Sequence, residues 1–279
     1  MLKRLVKTGI ARAVGAVSET ATGKYAFQRI ASSVRGAKTA VTYRSHRMQF
    51  LTPNELNKYR ADSFATKEPD TLAWIDTLPP GCVLWDIGAN IGLYSVYAAK
   101  ARNCEVYAFE PSVYNLELLA GNLHLNGVHD RVTIVPIALS AKSGIDTFRM
   151  SNVEPGGALS SFGATFDQTG QPLRKVLEYR LPGMTARDAI AHLGIPAPEH
   201  LKIDVDGIEH FILRGCGPVL HGVTSVLIEI SDAFEEQAAE ASRLLSEAGL
   251  TMSQKIYLGA VNQFNQLWVR AGADHGGPA

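Results

Sequence analysis

The chain has 279 residues, which is long for one domain and short for two, so we expect one catalytic-size domain with additions at its ends. Hydrophobic residues make up 46% of the chain and charged residues 19%, a globular composition that excludes a largely disordered protein. Basic and acidic residues number 27 each, and this zero net charge argues against a uniformly basic nucleic-acid-binding protein.

The charge is unevenly distributed along the chain. Residues 1–47 contain ten basic residues and a single acid, Glu19, which gives a balance of +9, whereas residues 48–279 carry −9. Apolar residues from Leu2 to Val17 recur at helical spacing between these basic residues. The pattern predicts a basic amphipathic helix that either contacts an anionic membrane or an acidic partner, or is frayed or packed on its own domain.

The cysteine content and the hydropathy of the chain indicate the cellular compartment in which the protein is expected. Cys82, Cys104 and Cys216 are widely spaced, which excludes a disulfide scaffold and a Cys-rich zinc site and fits a reducing compartment. No apolar run approaches the roughly 18–20 residues of a membrane span. Because Arg12 also interrupts the apolar stretch that a signal peptide needs, we expect a cytoplasmic protein, with peripheral membrane contact through residues 1–47 left open.

Residues 48–80 carry several prolines around a short helix-like stretch, Thr71–Leu78, and are interpreted as a lead-in that caps a domain spanning 81–272. In that domain strand and helix signals alternate, which predicts an α/β doubly wound sheet with helices on both faces. The predicted strands are Val83–Ile87, Glu105–Phe109, Val132–Leu139, Leu201–Val205 and Ser225–Ile230. The predicted helices are Leu93–Arg102, one from Pro111-Ser112 to Asn126-Gly127, and one between a capping box at Asp232–Glu235 and Gly249. A hairpin of Lys255–Leu258 and Gln266–Arg270 closes the domain, and residues 273–279 are interpreted as a loose tail.

Residues 151–183 break this alternation with glycine-rich sequence and predict either a lid or acceptor-binding loop, or a floppy insertion.

Polar features follow four of the strands: Asp86–Gly92, Glu110, Asp204–Gly207 and Glu229. Because ligands bind beyond the carboxyl ends of the strands in an open α/β sheet, we expect these residues to form the site.

The first two features indicate the cofactor. The Gly88-x-x-x-Gly92 turn presents bare backbone and a helix N-terminus, and Glu110 stands where an acid can accept both hydroxyls of a ribose. A dinucleotide fingerprint would require glycine at positions 90 and 93, where this chain has Asn90 and Leu93. Since the Asp86 carboxylate would repel a pyrophosphate but suits a cationic amino group, the pattern favours S-adenosylmethionine over NAD.

The sequence resembles the FkbM-type S-adenosylmethionine-dependent methyltransferases over Val83–Ala99, Val106–Val128, Ala138–Ser140, Leu201–Gly215 and Val226–Glu229. The resemblance implies a class I methyltransferase fold, a seven-stranded sheet in the order 3-2-1-4-5-7-6 with the last strand antiparallel. It also implies methylation of a hydroxyl group on a sugar, glycan or other natural product. From the zero net charge we expect no nucleic acid as partner. The cofactor-binding residues that the resemblance implies are Asp86, Gly88, Ala89, Asn90 and Gly92 for the methionine part, Glu110 and Pro111 at the ribose, and Ala138 and Leu139 at the adenine.

A hydroxyl acceptor needs a base, and three acids crowd the end of the fourth strand. Repulsion among Asp204, Asp206 and Glu209 should raise the pKa of at least one of them. We expect Asp204 or Asp206 to act as base or acceptor orienter, supported by Glu209. Alternatively, Asp204 caps the helix or binds the cofactor's ammonium group while Glu209 makes a structural pair. Asp206 replaces the glutamate of the family's usual D-V-E-G, which shortens its reach by one methylene.

The sequence supports other candidate site residues and other functions less strongly. His210 is a second-tier base, because a helix residue beside Glu209 points about 100° away from it. Asp204, Asp206 and Glu229 are oxygen ligands of the kind Mg²⁺ takes, but no second motif supports a metal and none is predicted. Trp85, Tyr94 and Tyr97 either stack on a ligand or are buried packing residues. Two other functions stay open, an NAD-dependent oxidoreductase and a non-catalytic nucleoside-cofactor-binding module.

Overall fold

The computed structural model describes residues 2–259 and 263–272. The expected tail at 273–279 lies outside this part of the chain, as do the side chains of Leu2, Leu5, Val6 and Ile10 of the expected amphipathic helix.

The chain begins with two helices and a small hairpin, which are followed by three short helices. Their bounds are α1 (Leu2–Ser18), α2 (Ala21–Arg35), β1 (Lys38–Tyr43), β2 (His46–Leu51), α3 (Glu55–Asp62), α4 (Phe64–Lys67) and α5 (Pro69–Thr77). The boundary expected between residues 47 and 48 falls inside β2, whose Met48 and Phe50 are fully buried. Side-chain amides of Asn122 and Asn126 bind the backbone of β2, so this lead-in is part of the packed body.

The central layer is a seven-stranded mixed sheet of β3 (Val83–Ile87), β4 (Glu105–Phe109), β5 (Val132–Val135), β10 (His200–Ile203), β11 (Ser225–Ser231), β12 (Leu250–Tyr257) and β13 (Gln263–Arg270). Its spatial order is β5-β4-β3-β10-β11-β13-β12, and β13 is antiparallel to both of its neighbours. Counted within this sheet alone, the strands stand as 3-2-1-4-5-7-6. Over the whole chain the expected order does not hold, because six further strands, two in the lead-in and four in the domain, form two other sheets that the expectation did not include.

Helices cover both faces of the central sheet. They are α6 (Leu93–Arg102), α7 (Val113–Asn126), α8 (Ala186–Leu193), α9 (Glu209–Cys216), a 3-10 turn (Gly217–Gly222) and α10 (Glu235–Glu247). One apolar cluster joins the sheet to α8, α9 and α10, and the other joins it to α5, α6 and α7. The carboxyl ends of β3, β4, β10 and β11 therefore emerge together at one edge between two packed layers.

The predicted strand Val132–Leu139 is instead two strands in different sheets. Pro136 has no backbone N–H to donate, and the chain turns after Val135 so that β6 (Ala138–Leu139) pairs with β9 (Leu177–Met184). β7 (Gly144–Met150) and β8 (Ser160–Phe162) complete this second, four-stranded sheet. Residues 160–162 and 177–183 of the glycine-rich stretch are thus strands of this sheet.

Three local features bear on other expectations. The capping box at Asp232–Glu235 does not form, because Phe234 occupies the N-cap and Asp232 pairs with Lys255 instead. Cys82, Cys104 and Cys216 are buried free thiols. Within the described ranges, the helices are all too short or too polar to cross a bilayer.

Candidate functional site

The turn between β3 and α6 packs tightly against the end of β10. Gly88, Asn90 and Gly92 all have positive φ, at 83°, 51° and 82°. A Cβ on Gly88 would lie 1.9 Å from the Asp204 carbonyl oxygen, so a side chain there would separate the two strand ends. The need for glycine at position 88 thus comes from contact with β10, and this contact holds the turn beside Asp204.

Glu110 follows β4 and anchors this turn. One carboxylate oxygen accepts the Asn90 N–H at 2.8 Å, and the other accepts the Ser112 N–H at 2.7 Å. Burial raises the pKa of Glu110 to about 7, although these hydrogen bonds favour its charged form. Each oxygen still has lone-pair capacity for a further donor, which fits the two hydroxyls of a ribose.

Asp86 lies behind the turn and not in the cavity in front of it. Its Oδ2 accepts the Ser95 hydroxyl at 2.5 Å, whereas its Oδ1 is buried without a hydrogen-bond partner among the described residues. Burial raises its pKa, and Lys202 opposes that effect. Asp86 therefore acts on α6 through Ser95 and on Lys202, whereas Glu110 lines a cavity.

A cavity of about 280 Å³ opens in front of the turn. Its charged lining combines acids and bases. The acids are Glu68, Asp204, Asp206 and Glu229, and the bases are Arg60, Lys67 and Lys202.

Lys202 and Asp204 project from the end of β10 and form an ion pair at 2.9 Å. Burial alone would raise the pKa of Asp204, but Lys202 with Lys67 and Arg60 holds it below its usual value. The pKa of buried Lys202 is raised in turn, since Asp204, Asp86 and Glu68 outweigh desolvation. Asp204 is thus a paired carboxylate with little tendency to take a proton.

Asp206 has a different environment two residues later. Its Oδ2 accepts the Leu159 N–H at 2.6 Å, and its backbone has φ +63°, which Asp tolerates better than most residues. Burial and the neighbouring Asp204 raise its pKa to about 6. Burial also raises the pKa of Glu229, on the adjacent β11, to about 9.

Glu209 and His210 lie outside the cavity. Glu209 accepts the N–H groups of Val205 and Gly207 and a hydrogen bond from the Gln237 side chain. It thereby holds the loop that carries Asp206, in line with the structural alternative considered for it. His210 is buried against Phe166 and Phe234, where its Nδ1 has no described partner.

Two smaller cavities continue from the large one along the edge of the sheet. The first, about 60 Å³, is lined by Gly88, Asn90, Glu110 and Asp206. The second, about 40 Å³, is apolar and is lined by Ala138, Leu139, Pro111 and Phe148, among others. The series is charged at one end and apolar at the other, and it brings most of the expected cofactor residues together. Ala89 lines the large cavity, whereas Asp86 and Gly92 line none of the three.

The segment 154–159 lines the 60 Å³ cavity through Gly157 and Ala158 and is held from both sides. Asn57 donates to the Pro155 carbonyl at 2.8 Å and Arg60 to the Gly156 carbonyl at 2.9 Å. From the turn, Asn90 donates to the Gly157 carbonyl at 2.9 Å. Neither small cavity by itself reaches the roughly 300 Å³ typical of ligand pockets.

The described side chains do not form a metal site. Among the residues described, no group of three or more His, Cys, Asp or Glu side chains has metal-holding geometry, so Asp204, Asp206 and Glu229 do not converge as ligands. Of the aromatic candidates, Trp85 and Tyr97 are fully buried, and only Tyr94 lines the cavity, with its ring 5.1 Å from the Lys202 ammonium.

Several cavity residues were not expected. Arg60, Lys67 and Glu68 come from the lead-in, a segment without a recognisable sequence signature for chemistry. Lys202 carried a readable signal, because a lysine in an otherwise aliphatic strand, two residues before Asp204, must point to the same face.

Fold and site together define a Rossmann-like α/β protein with a ligand site at the carboxyl edge of its sheet. A family model described as the methyltransferase FkbM domain matches residues 86–252. Since this match covers more than half of the chain, the protein belongs to the FkbM methyltransferase family, and the resemblance stated from the sequence is confirmed.

Individual relatives are more distant. The hexuronic acid methyltransferase AglP of Haloferax volcanii is 30% identical over 176 residues, which cover 61% of this chain and 63% of AglP. The 31-O-demethyl-FK506 methyltransferase FkbM of Streptomyces tacrolimicus is 30% identical over 187 residues, covering 58% of this chain and 71% of that protein. Among solved structures, S-adenosyl-L-methionine-bound fibrillarin of Aeropyrum pernix aligns with a TM-score of 0.45 at 11% identity, over 84% of each chain. The chain thus spans less than two thirds of the length of AglP.

Proposed function

We propose that the protein is an S-adenosylmethionine-dependent O-methyltransferase whose acceptor is a hydroxyl of a sugar, glycan or other natural product. The observation that carries this proposal is the continuous series of cavities along the sheet edge, charged beside Lys202 and apolar beside Leu139. Such a series matches a ligand with an amino-acid end and a nucleobase end. Family membership supports the reaction class, and the names of AglP and FkbM support a sugar or natural-product acceptor.

On the cofactor side, the Gly88–Gly92 turn would hold the methionine part and Glu110 the ribose hydroxyls, while Ala138 and Leu139 would pack on the adenine. Asp86 would act indirectly by fixing α6 through Ser95 and by facing Lys202. When bound, the cofactor supplies a methyl group made electrophilic by its sulfonium.

The chain's own task is to orient the acceptor and remove its proton. Asp206 suits the base, because its pKa of about 6 leaves it ionised near neutrality and still basic enough to take a proton. Glu209 would position it by holding the loop. On the acceptor side, Gln168 lines the large cavity with an Oε1 that has no described hydrogen-bond partner and can accept a hydroxyl.

Calorimetric titration with S-adenosylmethionine and with its demethylated product tests the cofactor assignment. We expect the wild type to bind both and Glu110→Gln to bind at least about tenfold more weakly, because the amide loses the charge-assisted hydrogen bonds to the ribose. Glu117→Gln, an exposed acid on α7, is the matched control and should bind normally. Absence of heat with both ligands for the wild type would contradict the proposal.

To identify the acceptor, the protein is incubated with labelled S-adenosylmethionine and a fractionated extract. We expect a hydroxylated small molecule or glycan to gain about 14 mass units, one CH₂. Transfer to a nitrogen or carbon atom would contradict O-methylation while leaving cofactor binding intact.

A further inference from the structure

The two N-terminal helices form a hairpin that stands apart from the body. Among the residues of α1 and α2 whose burial is described, only Gly23 is buried. Its ideal Cβ would meet the Val17 carbonyl oxygen at 1.7 Å, and Thr20 caps α2 by accepting the Gly23 N–H at 3.0 Å. The helices are therefore held to each other at their turn, while their outer faces remain in solvent.

The α2 helix has an apolar face that the described body leaves uncovered. Ala26, Phe27, Ile30, Ala31 and Val34 follow helical spacing and share one side of the helix. Ile30 is 57% exposed and Val34 is 47% exposed. An exposed contiguous apolar face of this kind marks an interaction surface.

Charge complementarity selects the partner of this face. Residues 1–47 carry +9 and the remainder of the chain −9, and α2 itself exposes Lys24, Arg29 and Arg35. Two copies of the hairpin would repel each other. An anionic lipid surface offers both negative headgroups and an apolar layer just beneath them, and it repels the acidic body, so that contact is confined to the hairpin.

We propose that the α1–α2 hairpin docks the protein on an anionic lipid surface. The apolar face of α2 enters the headgroup boundary, and its basic side chains lie against the lipid phosphates. At 15 residues α2 is about 22 Å long, too short to span a bilayer, so it lies in the interface. This inference is independent of the reaction proposed above.

Co-sedimentation of the full chain with vesicles of phosphatidylcholine, with or without phosphatidylglycerol, tests the proposal. We expect binding only to the vesicles with phosphatidylglycerol, and we expect added salt to weaken it. Lys24→Gln with Arg29→Gln should weaken binding about 25-fold, roughly fivefold for each charge removed. Ile30→Ser with Val34→Ser should weaken it at least about tenfold.

Matched controls on the body separate docking from general surface effects. Ile145→Ser with Val176→Ser removes two apolar side chains that are at least about as exposed, and Lys142→Gln with Arg187→Gln removes two exposed charges. Both control proteins should bind like the wild type, and circular dichroism should show unchanged helix content in every variant. Equal binding by all variants, or no binding to anionic vesicles, overturns the proposal. So does a lipid-free dimer that Ile30→Ser with Val34→Ser converts to a monomer, because a second copy would then cover the face.

Discussion

Asp204 and Asp206 lie two residues apart, yet their surroundings give them opposite acid–base properties. Lys202 keeps Asp204 ionised and weakly basic, whereas Asp206 has no cation of the described residues within ion-pair distance and a pKa of about 6. The sequence could show that acids cluster here but could not choose between them, because Lys67 and Arg60, which act on Asp204, come from helices more than 130 residues earlier.

Replacing Asp206 tests its role as base. Asp206→Asn should lower kcat by about 10²-fold or more while cofactor affinity is largely kept, because only proton removal is lost. Wild-type kcat/KM should rise with pH through about 6, since the base must be ionised, and this rise should be absent from the residual activity of Asp206→Asn. The exposed Asp130→Asn is the control. Full activity in Asp206→Asn would exclude Asp206 as base.

Among the structural elements, the segment 154–159 links the lead-in helices to the Gly88–Gly92 turn. Gly156 is central to it, with φ +83° and an ideal Cβ position only 2.1 Å from the Asn57 Oδ1. Asn57 is itself fully buried and bonded to the Pro155 carbonyl, so it has little room to move. The position of the segment should therefore change when a single methyl group is added at residue 156.

Gly156→Ala should displace the segment and weaken cofactor binding by about tenfold or more, measured by calorimetry. Gly194→Ala is the matched control, because Gly194 has a similar φ of +66° but no atom within 4 Å of its ideal Cβ. Both variants carry the backbone strain of alanine at positive φ, and only Gly156→Ala adds the clash. Equal loss of affinity in the two variants would show that backbone strain, and not the contact between Gly156 and Asn57, causes the weaker cofactor binding.

How well each strand could be predicted from the sequence depends on how deeply it is buried. β3, β4, β10 and β11 were predicted because strands covered on both faces are nearly continuous apolar runs. The four-stranded sheet was missed because the alternating, half-exposed β7 and β9 are separated by a long connection, and because Pro136 divides a run that looked like one strand. The Gly88 turn and Glu110 were found since they follow strands directly, whereas Asn57 and Arg60 meet the site only through tertiary packing.

For the whole molecule, buried acids set the pH dependence of stability. The pKa values of Glu110 and Glu209 are raised by burial to about 7, from about 4.3 in an unfolded chain. Between these values the folded protein binds more protons than the unfolded chain, so the free energy of unfolding falls as pH rises from about 5 to 8. The lowered pKa of Asp204 acts in the opposite direction, but at lower pH.

Denaturant unfolding between pH 5 and pH 8 measures this fall. Glu209→Gln should reduce it by on the order of 2 kcal/mol, because the amide cannot ionise. Glu236→Gln, an exposed acid on the neighbouring α10, should leave it unchanged. Stability that rises with pH in the wild type would contradict the assignment.

The burial of all three thiols has a practical use. Cys82, Cys104 and Cys216 are at most 4% exposed, so a maleimide dye has little access to them in the folded protein. A single cysteine substituted for Ile30 on α2 would then be the only reactive thiol among the described residues. An environment-sensitive fluorophore attached there would report directly, by its emission wavelength and by lipid-borne quenchers, how deeply the hairpin enters a bilayer.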